Sequence, residues 1–304
     1  MKDVLLNPVL DRAGVYAIYL AMALYTVAFL TFVWHLSRLS STSKKLKATA
    51  ARLELSALFT MVAAALAHGA GVVMRGISAS RVPWANMYEF SISGSFVVVA
   101  IFLCAWFVKE IRVIAVLVSS FALLVLGAAT TLFYVQVKTL MPALQSYWLV
   151  IHVTVAVLAT AFFNIAAALA VAYILRSWGW LQKSKLPIAV LAKRVLSVFP
   201  ESKKLESLSY RFNVIGFILW SFTLVAGAIW AERAWHRFWG WDTKEVWTFI
   251  IWTIYAGYLH ATATRGWNGV RAAWLSLVGF AAILFNFTIV NLFFKGLHVY
   301  SGLK

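Results

Sequence analysis

Residues 148–175 read WLVIHVTVAVLATAFFNIAAALAVAYIL and contain no charged side chain. As an α-helix, such a segment can cross the hydrocarbon core of a bilayer, because about 20 apolar residues cover roughly 30 Å. Comparable apolar segments lie at about 15–36, 53–74, 88–108, 113–134, 212–230, 247–263 and 273–294. The sequence therefore predicts an all-α polytopic integral membrane protein with about eight transmembrane helices.

The composition of the whole chain supports this class. Of the 304 residues, 63% are hydrophobic and 12% are charged, whereas charged residues make up about 25% of an ordinary globular protein. A soluble domain of this length could not cover so much apolar surface. Soluble enzymes, disordered chains and fibrous proteins are thereby excluded, and residues 1–304 are interpreted as a single membrane domain.

The distribution of basic residues predicts the orientation. The formal charge is +17, which in a soluble protein would suggest nucleic acid. Of the 27 basic residues, 17 fall in segments 37–52, 109–112, 176–211 and 264–272. The positive-inside rule assigns these segments to the cytoplasm. We therefore expect both termini outside, a lipid bilayer as surroundings, and no nucleic-acid partner.

The longest of these cytoplasmic loops, 176–211, contains an amphipathic segment. Residues 187–199 place apolar side chains on one face and basic side chains on the other. Such a segment can lie on the inner membrane surface, or it can serve only as a tether between two spans.

Tryptophans crowd one outer loop. Residues 230–252 read WAERAWHRFWGWDTKEVWTFIIW and contain six tryptophans. An interfacial aromatic belt accounts for one or two tryptophans at each span end, but not for four within residues 230–241. Large flat side chains beside a membrane suit a large, flat, apolar ligand.

Two segments have the spacing of a helix-capping box. Asp242 precedes Glu245 by three residues, and Asn86 precedes Glu89 in the same way, each directly before an apolar run. This spacing predicts the first turn of a helix. A capping role for Asp242 does not exclude contact with a ligand.

Histidines within or beside membrane spans are functional candidates, because ionisable residues are costly there. His152 lies near the outer end of its span, and His298 follows the last span on the same side. His260 lies about 20 Å deeper, at 1.5 Å per helical residue. Neutral imidazole is an axial ligand of haem iron. The sequence thus offers an outer histidine pair and one deep histidine, while His68 fits a ligand or a structural role equally well.

The run from Trp235 through Trp239, Trp241 and Asp242 to His260 resembles the tryptophan-rich WWD signature of haem-handling proteins. Within that superfamily it is similar to the CcsA (ResC) type of the system II cytochrome c synthesis pathway. Further matching elements are Pro83-x-x-Asn86-x-Tyr88-Glu89, Tyr147–His152, Leu208–Arg211 with Gly216-Phe217, and Gly296-Leu297-His298.

The resemblance implies a subunit of a cytochrome c haem lyase or synthase, in a bacterial plasma membrane or a thylakoid membrane. With a ResB-type membrane partner, it would export non-covalent haem b and present it to an apocytochrome c with a Cys-x-x-Cys-His motif. His152 and His298 would be the external haem ligands, and His260 would be a transmembrane ligand whose mate lies on the partner. The presenting loop, 230–247, would face outward.

The sequence offers further candidate residues, and other functions stay open. The loop and its surroundings add the further candidate residues His68, His236, Glu89, Trp230 and Trp247. His236 replaces the family's usual glycine, and Thr243 replaces its usual proline. One alternative is a b-type membrane electron carrier that uses His68 and His260. The others are a system I-like haem-delivery protein and a haem-free scaffold.

Overall fold

The computed structural model describes residues 7–138, 145–179, 183–264, 267–294 and 296–297, and no strand occurs among them. The helices are α1 (Pro8–Leu39), α2 (Lys44–Ala79), α3 (Met87–Cys104), α4 (Ala115–Leu132), α5 (Tyr147–Ser177), α6 (Pro187–Leu196), α7 (Ser202–Trp235), α8 (Thr243–Ala263) and α9 (Val270–Phe285). A 3₁₀ segment, Lys109–Ile114, leads into α4. After α9 the chain continues through a π-helical turn, Asn286–Val290, to Phe293.

The prediction of an all-helical polytopic membrane protein is confirmed. In the part of the chain that the structure describes, seven helical segments are long and apolar enough to cross a membrane. They contain α1, α2, α3, α4, α5, α7 and α9. The predicted span 247–263 is present as α8, but its Thr, Tyr and Trp residues keep it below the hydropathy of the other seven. The count of eight spans and the outer position of the termini stay predictions.

Several helices begin at the caps that the sequence encodes. The Asn7 side chain accepts a hydrogen bond from the Leu10 amide at 3.0 Å, and Pro8 occupies the first turn of α1. The Asn86 side chain accepts from the Glu89 amide at 2.9 Å, which confirms the predicted start of α3. Such caps satisfy amides that the helix itself leaves without acceptors.

Successive spans run in opposite directions, and this arrangement places the tryptophan loop beside several helix ends. The starts of α3, α5 and α8 meet the ends of α7 and α9 at one end of the bundle. The start of α1 and the end of α2 lie at this end too, because the Asn7 amide donates to the Ser78 carbonyl at 3.4 Å. We call this end the loop end.

The apolar side chains form two packed halves that share α5. One core holds α1 to α4 together with Ile165 and Leu169 of α5. A second core contains Phe163 of α5, Trp220 of α7 and Tyr255 of α8 together with side chains of α9. Phe163 and Tyr255 stack with ring centroids 3.7 Å apart. The two halves of the bundle therefore meet along α5.

A buried ion network fastens the first half at the loop end. The Arg75 guanidinium is 2% exposed and donates to Asp11 at 2.7 Å and to Glu89 at 3.1 Å. Arg81 donates to the other Glu89 oxygen at 2.6 Å. Because buried charges are stable only when paired and hydrogen-bonded, this network fixes α1, α2 and the start of α3 against one another.

The amphipathic segment of loop 176–211 forms helix α6. Its Ala189 and Leu196 side chains are buried against Leu175 and Phe199. The Arg176 guanidinium donates to the Leu196 carbonyl. The segment therefore packs against the end of α5, and its contact with a membrane surface stays a prediction.

Candidate functional site

A cavity of about 280 Å³ opens at the loop end, between the two halves of the bundle. This volume is close to the lower bound of about 300 Å³ for small-molecule sites. The helices α3, α4, α5, α7, α8 and α9 line it together with the loops between them, and most of the lining is apolar. The aromatic side chains of the lining are Trp84, Phe90, Phe121, Trp220, Trp230, Phe238, Trp239 and Phe287. Such a lining favours a flat apolar ligand.

His152 is the histidine that lines this cavity among the described residues. Its Nδ1 lies 3.0 Å from the Thr223 carbonyl of α7, to which the protonated nitrogen donates. Because Nδ1 carries the proton, the lone pair of the neutral imidazole is on Nε2. A hydrogen bond of this kind commonly fixes the tautomer and the ring orientation of a metal-binding histidine. The ring also stacks on Trp230 at 6.0 Å with an angle of 16°. His152 is therefore held in orientation from two sides.

The approach of His152 to α7 depends on Gly227. A Cβ atom at Gly227 would lie 2.8 Å from Cε1 and 2.9 Å from Nδ1 of the His152 ring. Real Cβ contacts are not that short, so an alanine would displace the imidazole. Only glycine lets α7 offer the Thr223 carbonyl at this distance.

The predicted tryptophans take four different positions. Trp239 and Trp230 line the cavity. Trp235 packs edge-on against Trp230, with ring centroids 4.8 Å apart, and so supports the cavity wall from behind. Trp241 is 74% exposed at the loop tip and meets the edge of Trp239 at 5.8 Å. Trp247 packs against Phe285 at 4.4 Å, outside the cavity lining.

The loop is shorter than its predicted range of 230–247. Helix α7 continues to Trp235, and α8 begins at Thr243 with Asp242 as its N-cap. The predicted capping box is present, since Glu245 accepts hydrogen bonds from the amides of Gly240 and Asp242 at 2.8 and 3.0 Å. The cap thus closes the loop and sets the position of Trp239.

The first residue of the Gly-Leu-His element lies against this cap. A Cβ atom at Gly296 would lie 2.0 Å from Asp242 Oδ1, so glycine alone allows the contact. His298, the predicted second external ligand, lies outside the described residues. The structure therefore brings Gly296 to the tryptophan loop and says nothing about His298.

His260 is not part of the cavity. It follows Glu245 of the lining by about four helical turns, or roughly 20 Å along α8, and its side chain is exposed. Phe249, Thr253 and Gly257 are exposed on the same face of the helix. A ligand at His260 would thus be separate from the cavity.

His68 lies between α1, α2 and α3, away from the cavity lining. Its side chain is fully buried. Nε2 lies 2.8 Å from the Ile92 carbonyl and Nδ1 lies 3.3 Å from the Tyr25 hydroxyl, so both nitrogens join neighbouring helices. His68 does not face His260, and the paired-histidine site of an electron carrier is not formed by these two residues.

Two further candidates also lie away from the cavity. Glu89 is fully buried in the ion network with Arg75 and Arg81. His236 is exposed and ends α7 with a φ of 56°. The family's usual glycine is natural in that left-handed conformation, and histidine is among the few other residues that adopt it with some frequency.

Sequence reasoning missed several polar groups of the cavity lining. Lys244, Ser91, Asn286 and Thr223 all contribute to it. Polar side chains inside apolar spans are a usable signal, because the bilayer penalises them. That signal could have indicated Ser91 and Asn286, whereas the role of the Thr223 carbonyl depends on packing.

Comparisons with known proteins give a consistent result. The model of the family described as "Cytochrome C assembly protein" matches residues 84–298. The "Cytochrome c biogenesis protein CcsA" of Synechococcus elongatus is 34% identical over 278 residues, which cover 79% of this chain and 86% of that protein. The protein of the same name from Guillardia theta is 32% identical over 245 residues, 76% of this chain and 80% of that protein.

One solved structure has a similar fold. "Cytochrome c Heme Lyase CcmF" aligns with a TM-score of 0.60 over 91% of this chain, at 17% sequence identity. The alignment covers 46% of that protein, so this chain spans just under half of it. At this identity the likeness shows the fold alone.

Proposed function

Since this chain belongs to the cytochrome c assembly protein family and is of the CcsA type, we propose that it binds haem in the cavity and presents it for attachment to an apocytochrome c. A role in cytochrome c biogenesis follows from the family. The haem site, its ligands and the direction of transport are the parts that we propose.

The orientation of His152 carries this proposal. Iron ligation needs an unprotonated imidazole nitrogen at a fixed position, and the bond from Nδ1 to Thr223 supplies the required tautomer. The stacked Trp230 and the neighbouring Trp239 offer apolar faces to a flat ring at the same wall. A histidine that served only packing would not need so many aromatic neighbours around an open cavity.

His298 is proposed as the second external ligand. The matching Gly-Leu-His element and the contact of Gly296 with Asp242 support this assignment. Two imidazoles on opposite faces would hold the ring of a haem in place. Ligation from both sides would also protect ferrous iron from oxidation before attachment.

His260 is proposed as a ligand of a separate, deeper haem shared with a ResB-type partner. Its exposed face of α8 also carries Phe249, Thr253 and Gly257. An exposed histidine and threonine are costly towards lipid, so a protein partner on this face is the more stable arrangement. Haem would then pass from this site outward to His152.

Attachment itself needs no oxidant. Each thiol of the Cys-x-x-Cys-His segment adds across a vinyl group of ferrous haem, so that sulfur bonds to one carbon and the proton goes to the other. The histidine of the segment then replaces one of the two external ligands, and the product is released. The chain contributes positioning, which can supply several kcal/mol towards such a step.

The haem content of the purified protein tests this proposal. The full chain is co-expressed with a ResB-type partner, and haem is measured by absorption and as the pyridine haemochrome. We expect non-covalent haem in the wild type and less haem in His152→Ala, in which only the haem at the His260 site would remain. The control is His35→Ala, because His35 bonds the Ala50 carbonyl near the opposite end of the bundle.

Each outcome has a defined meaning. Haem lost in His152→Ala and kept in His35→Ala supports the outer site. Equal haem in all three proteins, or no haem in the wild type, contradicts it. The same membranes would show mature cytochrome c only where the site is intact.

A further inference from the structure

One cation in the cavity lining makes no direct ion pair among the described residues, although the Asp242 carboxylate, two positions earlier, acts on its charge at longer range. The Lys244 ammonium lines the cavity, and no carboxylate among the described residues lies within 4 Å of it. Its one hydrogen-bond acceptor in that part of the chain is the Asn286 carbonyl, at 2.7 Å. An ammonium has three donors, and an unpaired charge away from water is costly. An anionic group in the cavity would remove that cost.

The carbonyl that Lys244 contacts belongs to the π-helical turn. Residues Asn286–Val290 leave the regular α-helical hydrogen-bond pattern at the end of α9. π-turns are rare and are often found at functional sites. Here the turn places the Asn286 carbonyl and the Asn286 side chain at the same wall as Lys244.

Two polar side chains of the same lining lack partners. Ser91 Oγ and Asn286 Oδ1 are buried and have no hydrogen-bond partner in the part of the chain that the structure describes. Their residues are 3% and 7% exposed. Phe90 stacks on Phe287 at 5.2 Å, so the α3 segment with Ser91 lies next to the π-turn. Buried polar atoms nearly always have partners in folded proteins.

We propose that Lys244, Ser91 and Asn286 form a polar wall that binds the carboxylate side chains of the haem porphyrin. This proposal rests on the function proposed above and adds the part of the ligand that the wall recognises. The ammonium and the serine hydroxyl are donors, and the Asn286 amide can turn its NH₂ group towards an acceptor. Three donors suit the propionate oxygens.

The acidic residue of the lining does not oppose this assignment. Glu245 Oε2 is held by the amides of Gly240 and Asp242 as part of the α8 capping box. Glu245 Oε1 is buried without a partner among the described residues. It can accept a hydrogen bond from a protonated propionic acid. The wall would thus bind one carboxylate at Lys244 and tolerate a neutral acid group beside Glu245.

The polar wall would also orient the haem. In haem the two propionates lie on one edge of the ring and the two vinyl groups lie on the other half. A ring anchored by its propionates at Lys244 and by its iron at His152 has one preferred rotation in the cavity. The vinyl groups then point away from the polar wall. Orientation of this kind is what thiol addition requires.

A binding titration with two porphyrins tests the polar wall. The full chain in detergent is titrated with haem and with haem dimethyl ester, in which both carboxylates are blocked. We expect the wild type to bind haem roughly tenfold tighter than the ester, the range of one or two hydrogen bonds to a charged group. Lys244→Met should lose this preference and bind both porphyrins with similar affinity.

Two further variants separate recognition from damage to the fold. Lys244→Arg keeps a cation at the wall and should keep the preference for haem. Lys204→Met is the control, because Lys204 pairs with Glu110 at 2.7 Å outside the cavity. It should match the wild type. A preference that survives in Lys244→Met, or that is absent from the wild type, overturns the proposal.

Failure of the proposed function would look different. If His152→Ala leaves the affinity for both porphyrins unchanged, the cavity is not the haem site, and the polar wall fails with it. If His152→Ala lowers the affinity for both porphyrins while Lys244→Met lowers the affinity for neither, the haem site is supported and only the polar wall is wrong.

Discussion

At the scale of single residues, the site depends on Gly227, which allows the His152 ring to lie close to α7. Gly227→Ala should disturb the site although alanine favours helices over glycine by about 1 kcal/mol. The new methyl group would lie 2.8 Å from the His152 ring and push it away from Thr223. We expect loss of the haem at the His152 site, while the gain in helix propensity offsets part of the cost that the clash adds to the free energy of unfolding. Absorption spectra and thermal unfolding of the same sample measure both effects.

The matched control for this variant is Gly127→Ala on α4, which lies outside the cavity lining. A Cβ atom at Gly127 meets no atom within 4 Å. Its haem content should equal that of the wild type. Haem retained in Gly227→Ala would show that the position of the imidazole next to α7 does not matter, and would contradict the ligand role of His152.

His236 allows a prediction in which stability changes and haem binding does not. It adopts a φ of 56° at the end of α7 and its side chain is exposed. The left-handed conformation costs a non-glycine residue about 1–2 kcal/mol, while glycine adds about 0.4–1 kcal/mol of unfolded-state entropy. His236→Gly should therefore raise the free energy of unfolding by up to about 1 kcal/mol and leave haem unchanged. A loss of haem would instead make His236 a ligand.

The histidines show how far single residues could be predicted. Spacing alone left His68 open, and the structure uses both of its nitrogens in packing. His152 could be proposed from its depth, but its tautomer depends on a carbonyl from another helix. Lys244 was not among the residues that the sequence predicted for ligand binding. Its exposure to the cavity depends on how α8 and α9 meet.

At the scale of helices, the buried ion network around Arg75 joins α1, α2 and the start of α3. Arg75→Met would leave the carboxylates of Asp11 and Glu89 buried without that partner. Loss of one member of a buried pair costs about 3–5 kcal/mol. We expect a large drop in the denaturant midpoint of the detergent-solubilised protein. Lys204→Met, which breaks an exposed pair, should leave the midpoint unchanged.

An unchanged denaturant midpoint in Arg75→Met would contradict this role of the network. If Arg75→Met keeps the wild-type midpoint, water or lipid headgroups reach Asp11 and Glu89, and the network does not fix α1 to α3. The network lies at the loop end, so its loss should also lower haem binding indirectly through the start of α3 and the segment before it, which carry Phe90 and Trp84 of the cavity lining.

Helix existence was predictable and helix ends were only partly so. Apolar segments indicated every long helix, and the capping boxes indicated the starts of α3 and α8. Helix α7 extends from Ser202 to Trp235, well beyond the apolar span 212–230, because its polar ends continue the same hydrogen-bond ladder. The π-turn at Asn286–Val290 has no local sequence signal of this kind. Its form depends on contacts such as the one from Lys244.

At the scale of the whole molecule, the orientation in the membrane is still a prediction. Cys104 is the one cysteine of the chain and can be replaced by serine. In that background, Arg233→Cys at the loop end should react with a membrane-impermeant maleimide in intact cells. Ser197→Cys, beside α6, should react only after permeabilisation. Both positions are exposed in the structure. The reverse pattern would place the tryptophan loop in the cytoplasm and contradict export of haem.

The cavity itself is a property of the whole molecule and could not be read from the sequence. The residues themselves indicated the tryptophan loop and the outer histidine separately, and only the family resemblance joined them in one predicted site. Their meeting depends on two packed halves that share α5 and leave a gap at the loop end. Ser91 and Asn286 are more than a hundred residues apart in the chain, and only the packing of α3 beside the π-turn brings them to one wall.

The central claim is that His152 binds haem iron in this cavity, and chemical rescue tests it most directly. His152→Gly removes the imidazole and leaves a space beside Trp230. We predict that this variant, purified without a ResB-type partner so that the His260 site is incomplete, loses the absorption bands of histidine-ligated haem and that added imidazole restores them in a saturable manner. Bands that are unchanged in the variant, or that imidazole does not restore although the protein stays folded, would contradict ligation by His152.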